Sequence, residues 1–249
     1  MPVTIKSARE IELMAEAGRI LEIVHNELRD ALHAGMSTLD IDRLGEEIIR
    51  SYDCIPSFLN YNGYPASICV SLNQEVVHGI PDKHRLIQDG DIVSLDAGVI
   101  YKGYHSDAAR TYGVGEISKE AKNLMQITKE CFFEGIKFAK EGNHLYDISA
   151  AIGDYAEKFG YGVVRELVGH GIGTEMHEDP QIPNFRQKRR GMKLQAGMTL
   201  AIEPMINMGR PDVAWTDDEW TVVTDDGSLS AHYENTILIT KGEPEILSL

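Results

Sequence analysis

The feature that most restricts how this chain can fold is a match between its two halves. Gln88-x-Gly90 leads through an apolar run to Asp96, and Gln195-x-Gly197 leads through another to Glu203. Each matched position is displaced by 107 residues, as from 88 to 195. The same displacement relates Gly35, Asp40 and Ile41 to Gly142, Asp147 and Ile148, a G-x-x-x-x-D-I pattern that opens two helix-like runs. Two separate blocks at one displacement imply a duplication. Each half should carry two helices and then a strand that delivers a carboxylate to a shared centre.

The strand around Asp96 reads as one arm of a β-hairpin. Val93, Leu95 and Val99 alternate along it, and a second run follows Lys102-Gly103. A turn at Tyr101-Lys102 sets Asp96 directly opposite Asp107, while a turn at Lys102-Gly103 makes them diagonal neighbours on the same face. Like charges in either position destabilise a hairpin unless a cation lies between them. Glu203 in LAIEPMI and Glu234 in HYENTILI also sit within apolar runs. Singly, each of the four carboxylates reads as a solvent-facing residue on an amphipathic strand. Together they demand about four positive charges, because an unpaired buried carboxylate costs several kcal/mol.

Two divalent ions would supply that charge, and His170 in GHGIG adds a fifth ligand. Oxygen donors with one imidazole suit Mn, Fe(II), Co or Zn better than a thiolate site would. Paired ions lower the pKa of a shared water, which points to metal-assisted hydrolysis. His78 in HGIP echoes His170, and His177 follows His170 by seven positions across flexible glycines. His105 and His232 each precede a ligand candidate by two residues and share its strand face, which suits them to support the ligands.

Charge and cysteine usage bound the setting. A net charge of −15 and a pI near 5.0 argue against a nucleic-acid-binding surface, and Lys188-Arg189-Arg190 reads as a solvated loop. Cys54, Cys69 and Cys131 form no pairable framework. No run approaches the ~18 apolar residues of a membrane span, and no basic-then-apolar leader is evident. A soluble cytoplasmic protein with no membrane attachment is expected. Helices are predicted over 7–32, from 37 to about 52, from Ser118 onward and over about 145–159. Strands are predicted over 69–72, 163–168 and 232–240, with 54–68 as an aromatic loop and 177–193 irregular. The class is α/β (α+β), a mainly antiparallel sheet covered by helices, with 1–249 as one pseudo-two-fold domain.

The order HGIP, D-x10-D, GHGIG with a histidine seven on, IEP and a late YENT resembles the type I methionine aminopeptidases. The similarity runs the length of the chain. It implies the pita-bread (creatinase/aminopeptidase) fold and two divalent ions, of Co, Mn, Fe(II), Zn or Ni. Asp96, Asp107, His170, Glu203 and Glu234 would hold them, with Glu203 also accepting the proton of the attacking water. His78 would contact the scissile amide and His177 the oxyanion. The methionine pocket would draw on Phe58, Tyr61, Tyr64, Cys69, Met176 and Trp220; Phe58 and Met176 depart from the residues usual there. A monovalent cation near Asn73, Glu75 and Ser230 is also implied. Partners would be nascent polypeptide N-termini near the ribosomal exit, met by a monomer. Only 25 residues separate His177 from Glu203, too few for the type II insert. An X-Pro peptidase and a metal-free binding protein on the same scaffold are the competing readings. Met1-Pro2 further implies that the chain processes its own first residue.

Overall fold

The computed structural model describes residues 3–249, so the expectation for Met1-Pro2 lies outside the described residues. The first half opens with helix α1 (Ala8–Ala31), where the Ser7 hydroxyl accepts from the Glu10 N–H and the Glu10 carboxylate accepts from the Ser7 N–H. This reciprocal capping box satisfies two orphan donors of the first turn. Helix α2 (Thr38–Ser51) follows, then strands β1 (Ile55–Pro56), β2 (Ile68–Leu72), β3 (Glu75–Val77), β4 (Ile92–Tyr101) and β5 (Tyr104–Gly113). The second half repeats the plan with α3 (Lys119–Ile136) and α4 (Leu145–Lys158). Short strands β6 (Gly162–Val163), β7 (Gly169–Gly171), β8 (Glu178–Ile182), β9 (Thr199–Ile202) and β10 (Met205–Asn207) follow. The chain ends through β11 (Val213–Trp215), β12 (Val222–Thr224), β13 (Ser230–His232), β14 (Asn235–Leu238) and β15 (Glu245–Ile246).

The displacement of 107 is visible in three dimensions. Helices α2 and α4 start and stop 107 positions apart, at 38 and 145 and at 51 and 158. Before them, Gly35 at φ 89° and Gly142 at φ 88° adopt the left-handed conformation that only glycine takes cheaply. The Gly35 N–H donates to the Ile87 carbonyl at 2.8 Å and the Gly142 N–H to the Leu194 carbonyl at 3.0 Å. Bridges Ser37 to Leu86 and His144 to Lys193 complete the match. The helices of each half bury an apolar face on that half's strands. Leu21, Val24, Leu28, Ile41 and Ile49 pack with Val70, Val93, Leu95 and Val99. Leu124, Ile127, Phe132, Ile148 and Ile152 pack with Leu200, Ile202, Ile206 and Ile237. Each such side chain contributes about 1.5–3 kcal/mol of burial, which ties the two layers together and positions the strand ends.

Among the described strands every pairing is antiparallel, and two of the pairings set the site. In the β4–β5 hairpin Tyr101 pairs with Tyr104, so the turn is Lys102-Gly103 rather than Tyr101-Lys102. Both turn residues have positive φ (47° and 86°), which the tight hairpin turn matching strand twist requires and which favours glycine at the second position. Asp96 therefore faces Ala109 and Asp107 faces Gly98, making the two carboxylates diagonal neighbours. The expected strand over 232–240 is interrupted. Strand β14 pairs with β9 and β13 with β10 in one continuous register, Asn235 to Ile202 and His232 to Met205. Between them the ladder breaks at Glu203-Pro204 and Tyr233-Glu234, because Pro204 has no N–H to donate. The Tyr233 N–H still reaches the Pro204 carbonyl at 3.2 Å.

Two further expectations are corrected. The predicted strand 163–168 ends at Val163, and pairing resumes only at Gly169. Leu167 and Val168 line a cavity instead. The 177–193 stretch is not wholly irregular, since Glu178–Ile182 pairs with β7.

Candidate metal centre

Each long hairpin contributes one pair of carboxylates. Asp96 and Asp107 come from β4–β5; Glu203 and Glu234 face each other across the break between β9–β10 and β13–β14. Hydrogen bonds through main chain and side chains lock the two strand pairs together. The Asp107 N–H donates to the Thr236 hydroxyl at 2.9 Å, which donates back to the Asp107 carbonyl at 3.0 Å. The Glu234 N–H donates to the Ala109 carbonyl at 3.0 Å. Arg110 donates to the Glu234 carbonyl and, at 2.6 Å, to the Asn235 side chain, and its guanidinium stacks on Tyr233. The carboxylates thus hang from a rigid frame.

His170 reaches the same point from β7. One ring nitrogen, Nδ1, lies 2.9 Å from the Gly171 carbonyl, which fixes the ring and turns Nε2 inward. That Nε2 stands 3.6 Å from Glu203 Oε1 and 3.8 Å from Asp107 Oδ2. Burial pushes the carboxyls of Asp96, Asp107, Glu203 and Glu234 upward, and repulsion among them adds to the rise at the last three. Burial, reinforced by His177, pushes His170 down to about 3.

The residues fit a cation. Asp96 Oδ1, Asp107 Oδ1 and Glu234 Oε1 are buried with no hydrogen-bond partner, a costly state for acceptor-only atoms. Among the described residues two groups could each hold an ion: Asp107, His170 and Glu234, and Asp96, His232 and Glu234. Within each group the potential ligand atoms all lie within 4.8 Å of one another. His232 and its neighbour Asp96 are thus closer partners than the sequence spacing alone conveyed.

Above the carboxylates lies a cavity of about 250 Å³. Its lining includes all five expected ligands, both expected histidines His78 and His177, and the six expected pocket residues Phe58, Tyr61, Tyr64, Cys69, Met176 and Trp220. Phe58, Tyr64, Cys69 and Met176 are buried and form one apolar cluster with Met14 and Ile172. Tyr64 meets Trp220 edge-on at 5.2 Å and donates its hydroxyl hydrogen to the Gly79 carbonyl at 2.9 Å. The Cys69 thiol is pushed well up by burial, with Asp96 adding, so it stays neutral. At the rim, His177 Nδ1 lies 2.7 Å from the Tyr61 hydroxyl, and its ring sits 4.2 Å from that of His170. Although His177 is exposed, the protein around it lowers its pKa by desolvation. His78 is held at φ 59°, a left-handed conformation rare outside glycine, and burial brings it down to about 4.

Several features were absent from the sequence reading. Asn62, Val77, Leu167, Val168 and Met205 also line the cavity. Asn184 donates to the Glu203 carbonyl at 3.0 Å, steadying it. No spacing rule points to these residues: Leu167, Val168 and Asn184 arrive on loops, Asn62 on a tight helical turn, and Val77 and Met205 on the ends of β3 and β10. His105 does not support the ions; its Nδ1 lies 3.0 Å from Ser57 Oγ. Asn73 and Ser230 meet through the main chain, the Ser230 N–H donating to the Asn73 carbonyl at 2.9 Å. Their side chains are committed elsewhere, and the Glu75 carboxylate pairs with Arg85.

Comparison with known proteins agrees with this geometry. Residues 12–241 match the model of metallopeptidase family M24. The chain is 55% identical to a methionine aminopeptidase of Clostridium acetobutylicum over 99% of both chains. It superposes on the methionine aminopeptidase of Thermotoga maritima with a TM-score of 0.97 at 44% identity, covering 99% of both. An Xaa-Pro dipeptidase of Bacillus anthracis gives 0.79 at 27% identity, and the match spans 98% of this chain but 61% of that one. Family match, whole-length identity and the pita-bread architecture converge: the chain belongs to metallopeptidase family M24, among its methionine aminopeptidases.

Proposed function

We propose that this enzyme releases the first residue, methionine, from polypeptides whose second residue is small, using two divalent ions held by Asp96, Asp107, His170, Glu203 and Glu234. The observation that carries the reading is the convergence of these ligands on the floor of a cavity with room for about one side chain. Residues 3–249 act as one catalytic unit built from two halves, since each half supplies one pair of the four carboxylates.

When bound, the ions would supply Lewis acidity, a water of lowered pKa and an anchor for the substrate's free amino group. Glu203, the carboxylate least enclosed by the core, takes the proton of the attacking water and later returns it to the departing amine. With His177 Nδ1 within 2.7 Å of the Tyr61 hydroxyl, a hydrogen bond donated by Tyr61 would leave the ring proton on Nε2 to stabilise the oxyanion. His78, set on a strained turn beside Trp220 at 6.4 Å, binds the scissile amide. The methionine side chain packs among Phe58, Tyr64, Cys69, Met176 and Trp220, where a thioether gains aromatic contacts. An oxygen-rich donor set suits Mn, Fe(II), Co, Ni or Zn. A monovalent cation near Asn73, Glu75 and Ser230 would rest on main-chain carbonyls. No helix of the described residues is long and apolar enough to cross a membrane. A monomer acting in the cytoplasm on chains leaving the ribosome fits that and the acidic surface.

The test is methionine release from Met-Ala-Ser, Met-Lys-Ser and an X-Pro peptide, with and without added Mn or Co. Metal-dependent cleavage of Met-Ala-Ser alone is the expected result. Cleavage confined to the X-Pro peptide would assign the chain to the dipeptidase side of the family.

A further inference from the structure

The five ligands derived above leave the two ions unequal, because only one of them receives an imidazole. The structure offers a second one. His232 is 2% exposed, and neither of its ring nitrogens has a hydrogen-bond partner. A buried imidazole with two unsatisfied nitrogens is costly unless something outside the chain completes it. Its Nε2 lies 3.6 Å from Glu234 Oε2. Its main chain is pinned in both directions by Thr111, whose hydroxyl accepts from the His232 N–H and donates to its carbonyl, each at 2.9 Å. The ring is therefore held in place by the β5–β13 contact and not by any polar partner of its own.

We propose that His232 Nε2 is a sixth protein ligand, completing an Asp96–His232–Glu234 half-site that mirrors Asp107–His170–Glu234. Each half-site then takes one carboxylate from the β4–β5 hairpin, one imidazole and a share of Glu234. The inference rests on the divalent-metal reading. It adds that both ions carry nitrogen, which biases the second site toward borderline metals such as Zn and Co over Mg or Ca.

The test counts nitrogen–metal bonds directly. The whole chain, labelled with ¹⁵N-histidine, is loaded with ¹¹³Cd and examined by NMR for cadmium–nitrogen coupling. Two coupled imidazole nitrogens are expected, one lost in His170→Gln and the other in His232→Gln. His232→Gln should also weaken the second cadmium site by roughly 10- to 100-fold. A single coupled nitrogen, in protein that binds two cadmium ions, would overturn the proposal while leaving the metallopeptidase reading intact. Failure to bind cadmium at all would overturn both. The wild-type spectrum alone decides the count, so poor folding of a variant does not rescue the idea.

Discussion

At the scale of the residue, His177 and Tyr61 show how a rim group is tuned. His177 stands outside the ligand set, yet its ring packs 4.2 Å from that of His170 and its Nδ1 lies 2.7 Å from the Tyr61 hydroxyl. If His177 is the oxyanion donor proposed above, replacing it with Ala should lower kcat by roughly 10²–10³-fold. Bound metal, measured by atomic emission, should stay at the wild-type level. Tyr61→Phe deletes only the hydrogen bond, so a loss of about fivefold in kcat is expected, matching a net bond of about 1 kcal/mol. An equal loss in the two variants would mean that Tyr61 does more than orient the ring. The histidines and carboxylates were legible in the sequence because each sits in a short apolar or glycine-rich frame at a fixed spacing. Asn184 and Leu167 were not, because nothing in LVGHG or IPNF distinguishes a lining residue from an ordinary loop residue. His232 was legible as a supporter of Glu234, but its closeness to Asp96 depends on how two sheets meet.

At the scale of the element, the helices and the duplicated hairpins were readable, and the breaks between strands were not. The helical spacing after Ser7, the start near Ser37-Thr38 and the 107-residue displacement predict α1, α2 and α4 nearly to the residue. The register of β4–β5 turned on which two residues make the turn, and only the positive φ at Lys102 and Gly103 decides it. The break at Glu203-Pro204 has a visible cause in the proline, but its partner at Tyr233-Glu234 has none of its own. Helix α1 docks on β5 partly through His25, whose Nε2 donates to the Ala108 carbonyl at 2.8 Å. Burial, and then Arg110, push His25 down to about 3 from an ordinary 6.5. A depressed folded-state pKa contributes stability that is complete above the unfolded value and is lost as pH falls toward the folded one. The thermal midpoint should therefore fall between pH 6.5 and 4. His25→Gln should make that slope shallower, as read by calorimetry at half-unit steps. An unchanged slope would assign the acid sensitivity to other buried histidines.

At the scale of the whole molecule, the four buried carboxyls make metal a structural partner as well as a chemical one. Any ion that binds only the folded chain stabilises it by RT ln(1 + [L]/Kd), about 2.7 kcal/mol at one hundred times Kd. Removing metal with a chelator at neutral pH should lower the melting temperature by several degrees, and stoichiometric Mn or Co should restore it. A midpoint indifferent to both would contradict the centre described here.

The interlocking of the two hairpins also bears on timing. Asp96 and Asp107 leave the ribosome well before Glu234, and Thr236 must bond Asp107 across 129 positions before the frame closes. On the proposed reading, a growing chain holds half a centre until Glu234 and Thr236 have been added, and catalysis waits for β14 to be laid against β5.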